Sequence, residues 1–159
     1  MTHPEYWHQS KKFLSNADPR LARLFLDHPD YCISSRGEAL ETLLRSIVGQ
    51  QISVQAAASV WGKLENKIGK INPQNVLALS FEDLKSCGLS KQKTQYIINI
   101  CNHFISFSIN SHSYWEDKPY KHIYDELITI KGVGPWTAEM FGMFYLLEKD
   151  IFPIKDIGI

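Results

Sequence analysis

The sequence predicts an all-α fold, because apolar residues recur at three- and four-residue steps over most of its length. Runs that alternate apolar and polar residues, as half-buried strands require, are missing. Of the 159 residues, 44% are hydrophobic and 21% are charged, which is the balance of a globular protein with a buried core. We therefore expect one multi-helix domain.

The helix boundaries follow from start and stop signals, taken in chain order. After a first helix at Tyr6–Leu14, Asp18 as N-cap and Pro19 at the first helical position begin a second that ends near Leu26, before the breaker at 28–30. The apolar pattern from Ala39 to Leu64 is interrupted at 49–53 and predicts two helices around a polar kink. Further helices are predicted at Pro73–Leu79, Phe81–Cys87, Ser90–Phe107, Tyr120–Ile128 and Pro135–Leu147, with 110–119 as a polar loop.

The formal net charge is zero, from 17 basic and 17 acidic residues. A nucleic-acid contact would therefore have to come from a local patch, and Lys91/Lys93 and Lys118/Lys121/Lys131 are the available clusters. Each cluster can equally be an ordinary solvated helix face.

The cysteines Cys32, Cys87 and Cys101 are too widely spaced for a C-x-x-C pair, which favours reduced thiols over a disulfide or zinc site. The N-terminus lacks a secretory pattern, and no apolar run approaches the roughly 18 residues of a membrane span. We expect an intracellular protein, in the cytoplasm or nucleoid of a bacterium or the nucleus of a eukaryote.

The most informative segment runs from Leu127 to Ala138 and reads LITIKGVGPWTA. One helix ends, Gly132 and Gly134 allow a tight hairpin, and Pro135 suits the first position of the next helix. Such a hairpin presents backbone N–H groups at a helix N-terminus, where they can bind a phosphate without a basic side chain. On spacing alone, a turn without a ligand is the alternative.

Three more segments accompany this hairpin in order: LLRSIVGQQIS at 43–53, CGLSKQKTQYI at 87–97 and DIFPIKD at 150–156. Together the four segments resemble the helix-hairpin-helix DNA glycosylase superfamily of base-excision repair, whose signature is the hairpin, a Gly/Pro loop and a following aspartate. The resemblance implies an all-α, multi-helix glycosylase fold and double-stranded DNA as partner. It also implies a monomer.

The resemblance further implies a division of the single domain at 1–159. Residues 1–36 would be N-terminal helices of a second lobe, 37–148 a helical barrel with the hairpin at 130–136, and 149–159 the loop that carries the aspartate. Family members continue into further helices, so the chain is expected to end early and to miss C-terminal helices.

The residue after the hairpin proline discriminates the chemistry within this superfamily. Members similar to endonuclease III place a lysine there, whose amine attacks C1′ of the sugar, whereas this chain has Trp136. Water must then be the nucleophile, so the chain looks like the DNA-3-methyladenine glycosylase II type, which removes alkylated purines such as 3-methyladenine and 7-methylguanine without nicking the strand. A core indole is the alternative reading of Trp136.

Asp156 is the predicted catalytic residue. A carboxylate can stabilise an oxocarbenium-like state and orient the attacking water. An N-cap of a following helix is its structural alternative, and Asp150 is a weaker catalytic candidate because it precedes the loop. Trp136 and Met140 are predicted to line the base pocket, where an aromatic face would attract a cationic alkylbase. Alkylpurine enzymes can carry a tyrosine where this chain has Met140, which leaves the substrate range open.

DNA contacts are assigned from the same resemblance. Glycosylases extrude the target nucleotide, and Gln50, Leu89 and Ser90 are predicted to fill the gap or contact the orphan base, with Leu89 at an exposed turn tip. Ser53 and Lys93 are predicted to contact the DNA backbone. The phosphate-binding hairpin would use Lys131, Gly132, Val133, Gly134 and Thr137. Tyr6, Trp7, Phe25 and Tyr31 are either pocket or core residues.

No organic cofactor is expected, and the cysteine pattern does not suit an iron–sulfur cluster. The superfamily hairpin often binds a monovalent cation, so a sodium or potassium ion at the carbonyls of Ile130 and Val133 is a prediction of the resemblance.

Three other functions remain open on the sequence. The first is a non-catalytic helix-hairpin-helix DNA-binding module or an inactive truncated glycosylase. The second is a helical protein–protein scaffold, which salt-dependent DNA binding would argue against. The third is a bifunctional glycosylase and lyase, which Trp136 argues against.

Overall fold

The structure is a computed structural model that describes residues 4–156. Within that range it consists of helices and connecting turns, without strands. The all-α prediction is therefore confirmed. The α-helices are α1 Trp7–Ala17, α2 Pro19–Asp27, α3 Ala39–Gly49, α4 Val54–Ile68, α5 Pro73–Leu77, α6 Phe81–Lys85, α7 Lys91–Ser106, α8 Ser113–Glu116, α9 Tyr120–Leu127 and α10 Pro135–Phe141, and a π-helix follows at Gly142–Leu146.

Capping side chains explain where half of the described α-helices begin. The Asp18 carboxylate accepts the Arg20 N–H at 2.8 Å and starts α2. Ser53 and Ser90 accept from residues three positions on and start α4 and α7. Each cap satisfies an N–H that has no partner within its helix.

The core lies between α3, α7 and α10. Leu43, Ile47, Ile100 and Phe141 are fully buried there, and α3 contacts α4, α7 and α10. This central position of α3 brings the α3–α4 turn and the α9–α10 hairpin to the same part of the molecule.

The predicted loop at 110–119 contains a short helix, α8, so the loop prediction is wrong for 113–116. Tertiary contacts stabilise this short helix, and no local sequence pattern indicates it. Trp115 is buried against Phe104 and Phe141. The Tyr114 hydroxyl and the Lys118 ammonium both donate to the Glu126 carboxylate, at 2.8 and 3.0 Å.

The helix predicted at Pro135–Leu147 is α-helical only in its first half, and its second half is a π-helix. Gly142 lies where an added Cβ would meet Tyr120 and Ile151. The stretch ends at Leu147, which has a φ of 58°, and the Gly142 carbonyl accepts from Glu148. π-Helical turns often occur at functional sites, and this one adjoins the chain that leads to Asp156.

The N-terminal pair α1 and α2 contains no buried residue, and the apolar side chains Phe13, Leu24 and Leu26 are exposed. The aromatic residues predicted as pocket or core belong to neither. Tyr31 is exposed, Tyr6 bonds the Leu147 carbonyl, and Trp7 bonds the Tyr31 carbonyl. The cysteines are free thiols, with Cys87 and Cys101 buried and Cys32 half-buried. No helix within residues 4–156 is long and apolar enough to cross a bilayer.

The expected exposure of Leu89 is wrong. The side chain is 5% exposed and belongs to the hydrophobic core, although Gly88 before it and Ser90 after it are exposed. Leu89 therefore anchors the α6–α7 turn from inside and does not point outward as a DNA wedge would have to.

Substitution of Leu89 by alanine tests this burial. We expect the free energy of unfolding to fall by about 2–5 kcal/mol, because a buried leucine leaves a cavity. Leu26→Ala, at a side chain that is 79% exposed, is the control and should change stability by less than about 0.5 kcal/mol. Equal small effects in urea unfolding would contradict the burial.

Candidate active site

The hairpin between α9 and α10 is formed as the sequence predicts. Gly132 has a φ of 112°, a left-handed conformation that glycine adopts without strain, and Val133 N–H donates to the Ile130 carbonyl at 2.9 Å. Gly134 caps α10, and Pro135 occupies its first turn. A Cβ on Gly132 would collide with the Tyr96 ring, so only glycine fits here.

The hairpin has an inner and an outer side. Ile130 and Val133 belong to the core, and Thr137 is 1% exposed, so these side chains support the turn from inside. Lys131 is exposed, and its carbonyl accepts the Asn99 amide at 2.9 Å. Any contact between the hairpin and a phosphate is left to the outer side, around Lys131 and the two glycines.

Asp156 and Trp136 are joined by a hydrogen bond. The indole Nε1 donates to a carboxylate oxygen of Asp156 at 2.6 Å, and the Asp156 N–H donates to the Pro153 carbonyl at 2.8 Å. The loop after the π-helix thus returns to the start of α10 and brings the predicted catalytic carboxylate against the predicted base-pocket residue. The helix that Asp156 was predicted to cap lies outside the described residues.

A cavity of about 380 Å³ lies beside Trp136, between α3, α4 and the α10–π-helix segment. Trp136 and Met140 both line it, and their contact with a base stays a prediction. The wall also includes four residues that the sequence did not suggest: Trp61, Phe144, Arg36 and Arg45. Their positions depend on packing between distant segments, so no local pattern could have indicated them.

The α3–α4 turn is held by groups that were predicted to touch DNA. The Lys93 ammonium donates to the carbonyls of Val48 and Gln50 at 2.8 and 2.7 Å, and burial lowers its pKa. The Gln50 amide donates to the Thr137 hydroxyl at 3.1 Å. Both side chains therefore have partners inside the protein, and their contacts with DNA stay predictions.

Gln51 is one of the residues that this turn presents to solvent. It is exposed and has a φ of 56°, a conformation that costs a non-glycine residue energy and is often retained for function. The two consecutive glutamines in the kink are the sequence feature that marks this position, but only the first of them, Gln50, is predicted from the sequence as a DNA contact. Ser53 and Ser90 are exposed, consistent with their predicted places on the outer surface.

Comparison with known proteins agrees with this architecture. The model of the HhH-GPD superfamily of base excision DNA repair proteins matches residues 44–159. A DNA-3-methyladenine glycosylase of Schizosaccharomyces pombe is 27% identical over 143 residues, covering 88% of this chain and 63% of the relative. One of Saccharomyces cerevisiae is 32% identical over 128 residues, covering 74% and 43%. The chain thus spans about half the length of these relatives.

Solved structures show the same fold. The S. pombe 3-methyladenine DNA glycosylase in complex with abasic DNA superposes with a TM-score of 0.83 at 27% identity, over 94% of this chain and 75% of that one. The fold and the hairpin define a helix-hairpin-helix protein of the DNA-repair class. The chain belongs to the HhH-GPD superfamily of base excision DNA repair proteins.

Substitution of Gly132 by alanine tests the hairpin. We expect the free energy of unfolding to fall by at least about 2 kcal/mol, because the new methyl group meets the Tyr96 ring in a disfavoured backbone conformation. Gly134→Ala is the matched control, since Gly134 has open space around it and should lose less than about 1 kcal/mol. Thermal unfolding of both variants makes the comparison, and equal losses would contradict the packing described.

Proposed function

We propose that this protein is a monofunctional DNA glycosylase that hydrolyses the N-glycosidic bond of alkylated purines, including 3-methyladenine and 7-methylguanine. The observation that carries the proposal is the hydrogen bond between Trp136 and Asp156 at the edge of an aromatic-walled cavity. The names of the relatives support the reaction class.

In this proposal, the nucleotide leaves the duplex and its base enters the cavity, since a glycosylase cannot reach C1′ in a stacked helix. Trp136 and Met140 contact the base. The Asp156 carboxylate faces the sugar, stabilises positive charge as the bond breaks and orients the attacking water. An alkylated purine that carries a positive charge departs as a neutral base, so no strong general acid is required.

The Trp136 indole has two roles here. Its Nε1 donates to Asp156, which fixes the direction of the carboxylate. Its ring is part of the cavity wall, where the face of the π-system suits a flat and electron-poor base. One side chain thereby couples base binding to the position of the catalytic group.

DNA would be held by the outer side of the hairpin and by the α3–α4 turn. Backbone N–H groups near Gly132 and Gly134 suit a phosphate. Gln51, exposed at the tip of its turn, is our candidate for filling the gap in the duplex in place of Leu89. A monovalent cation at the carbonyls of Ile130 and Val133 would add positive charge near that phosphate. The Ile130 carbonyl already accepts one hydrogen bond and keeps a second lone pair.

Base release from methylated duplex DNA tests the proposed reaction. We expect the wild type to release free methylated purines without alkali-independent nicks, and Asp156→Asn to lose at least about 100-fold in rate, because electrostatic stabilisation at the reacting centre is removed. Asp150→Asn, at an exposed carboxylate earlier in the same loop, is the matched control and should retain activity.

Three outcomes would overturn parts of this proposal. DNA binding without base release would indicate a non-catalytic module. Strand nicking, or borohydride trapping of a protein–DNA adduct, would indicate an amine nucleophile and a lyase. If Asp150→Asn lost activity while Asp156→Asn stayed active, the catalytic carboxylate would be Asp150 and not Asp156.

A further inference from the structure

The α10–π-helix segment contributes three residues to the cavity wall. Trp136 and Met140 line it from α10, and Phe144 lines it from the π-helix. The cavity therefore has an end at Trp136, next to Asp156, and an opposite end at Phe144.

At the Phe144 end, the wall includes Arg36, a residue that is itself exposed. The guanidinium carbon of Arg36 lies 3.4 Å from the centroid of the Phe144 ring, and the backbone N–H of Arg36 donates to the backbone carbonyl of Phe144 at 2.9 Å. A planar cation stacked on an aromatic face is held in place by the ring and keeps its N–H donors at its edge. The cavity thus ends in a positioned set of donors.

Arg36 differs from the other arginine of the wall. Arg45 forms ion pairs with Glu41 at 2.9 Å and Glu65 at 3.3 Å and lies over Trp61. Within residues 4–156, Arg36 forms no ion pair. Burial and the nearby charge of Arg45 lower the pKa of Arg36, the direction expected where no carboxylate balances a guanidinium.

We infer that Arg36 is a specificity-determining residue that binds the O6 edge of a 6-keto purine at the end of the cavity remote from Asp156. The inference rests on the proposed function and narrows its substrate class. With the sugar at the Asp156 end, a purine in the cavity points the edge remote from its glycosidic bond toward Phe144.

The chemistry of the two purine edges decides the selectivity. Guanidinium offers donors only, and guanine-type bases present O6 as an acceptor where adenine-type bases present an amino donor. 7-Methylguanine and hypoxanthine keep O6, whereas 3-methyladenine carries the amino group. Arg36 therefore favours the 6-keto bases and gains nothing from a 6-amino base.

The ratio of 7-methylguanine to 3-methyladenine released from one preparation of methylated DNA tests this role. Both bases carry a positive charge when attached to the sugar. A change in the ratio therefore reports on recognition of the purine edge and not on recognition of the charge. We expect Arg36→Gln to lower the ratio about tenfold, with Arg36→Lys intermediate because it keeps the charge and loses the planar fork. Arg23→Gln, at an exposed arginine of α2, should leave the ratio unchanged.

Two results would overturn the inference. An unchanged ratio in a folded Arg36→Gln protein would show that the guanidinium does not read the base. An equal loss for both bases would show that Arg36 contacts a feature common to both substrates, such as a phosphate, and a flatter salt dependence of DNA binding would identify that contact.

Binding to uncleavable DNA separates this inference from the proposed reaction. Matched duplexes with a single 2′-fluoro-2′-deoxyinosine or 2′-fluoro-2′-deoxyadenosine differ at the purine edge and resist hydrolysis. We expect the wild type to prefer the inosine duplex and Arg36→Gln to lose that preference, whether or not base release is observed. Equal affinities in the wild type would contradict a role of Arg36 while leaving the proposed hydrolysis standing.

Discussion

The hydrogen bond between the Trp136 indole and the Asp156 carboxylate is the contact on which the site depends. It closes a loop of twenty residues that leaves α10, passes through the π-helix and returns beside the hairpin. In the segment before the carboxylate, Phe152 and Ile154 are exposed and Pro153 is buried. A hydrogen bond to an ionised acceptor is stronger than a neutral one and specifies direction.

The position of Trp136 in turn depends on the hairpin and on α3. Gly132 allows the Tyr96 ring to pack directly against the turn, and Thr137 accepts the Gln50 amide. Lys93, in α7, binds the main chain of the α3–α4 turn. The surface elements proposed to meet DNA, the hairpin and the Gln51 turn, are thus connected through partly buried polar contacts, which fixes the spacing between them.

Local signals predicted what local interactions decide. The start of α2 at Asp18-Pro19, the kink between α3 and α4 and the glycine hairpin depend on residues close in sequence. Leu89 was misplaced because its burial depends on helices distant in the chain. Arg36 was missed for the same reason, since its partner ring is contributed by Phe144. The inward roles of Lys93 and Gln50 likewise follow from tertiary contacts and not from their motifs.

The most direct test of this account is single-turnover base release by Trp136→Phe, with DNA affinity measured in parallel. Phenylalanine keeps an aromatic face toward the cavity and removes the Nε1 donor. The account predicts that the rate of release falls by at least about tenfold, because a hydrogen bond to a charged group is lost, while affinity for an abasic-site duplex changes little. An unchanged rate would show that Asp156 does not need the indole and would contradict the coupling between cavity wall and carboxylate.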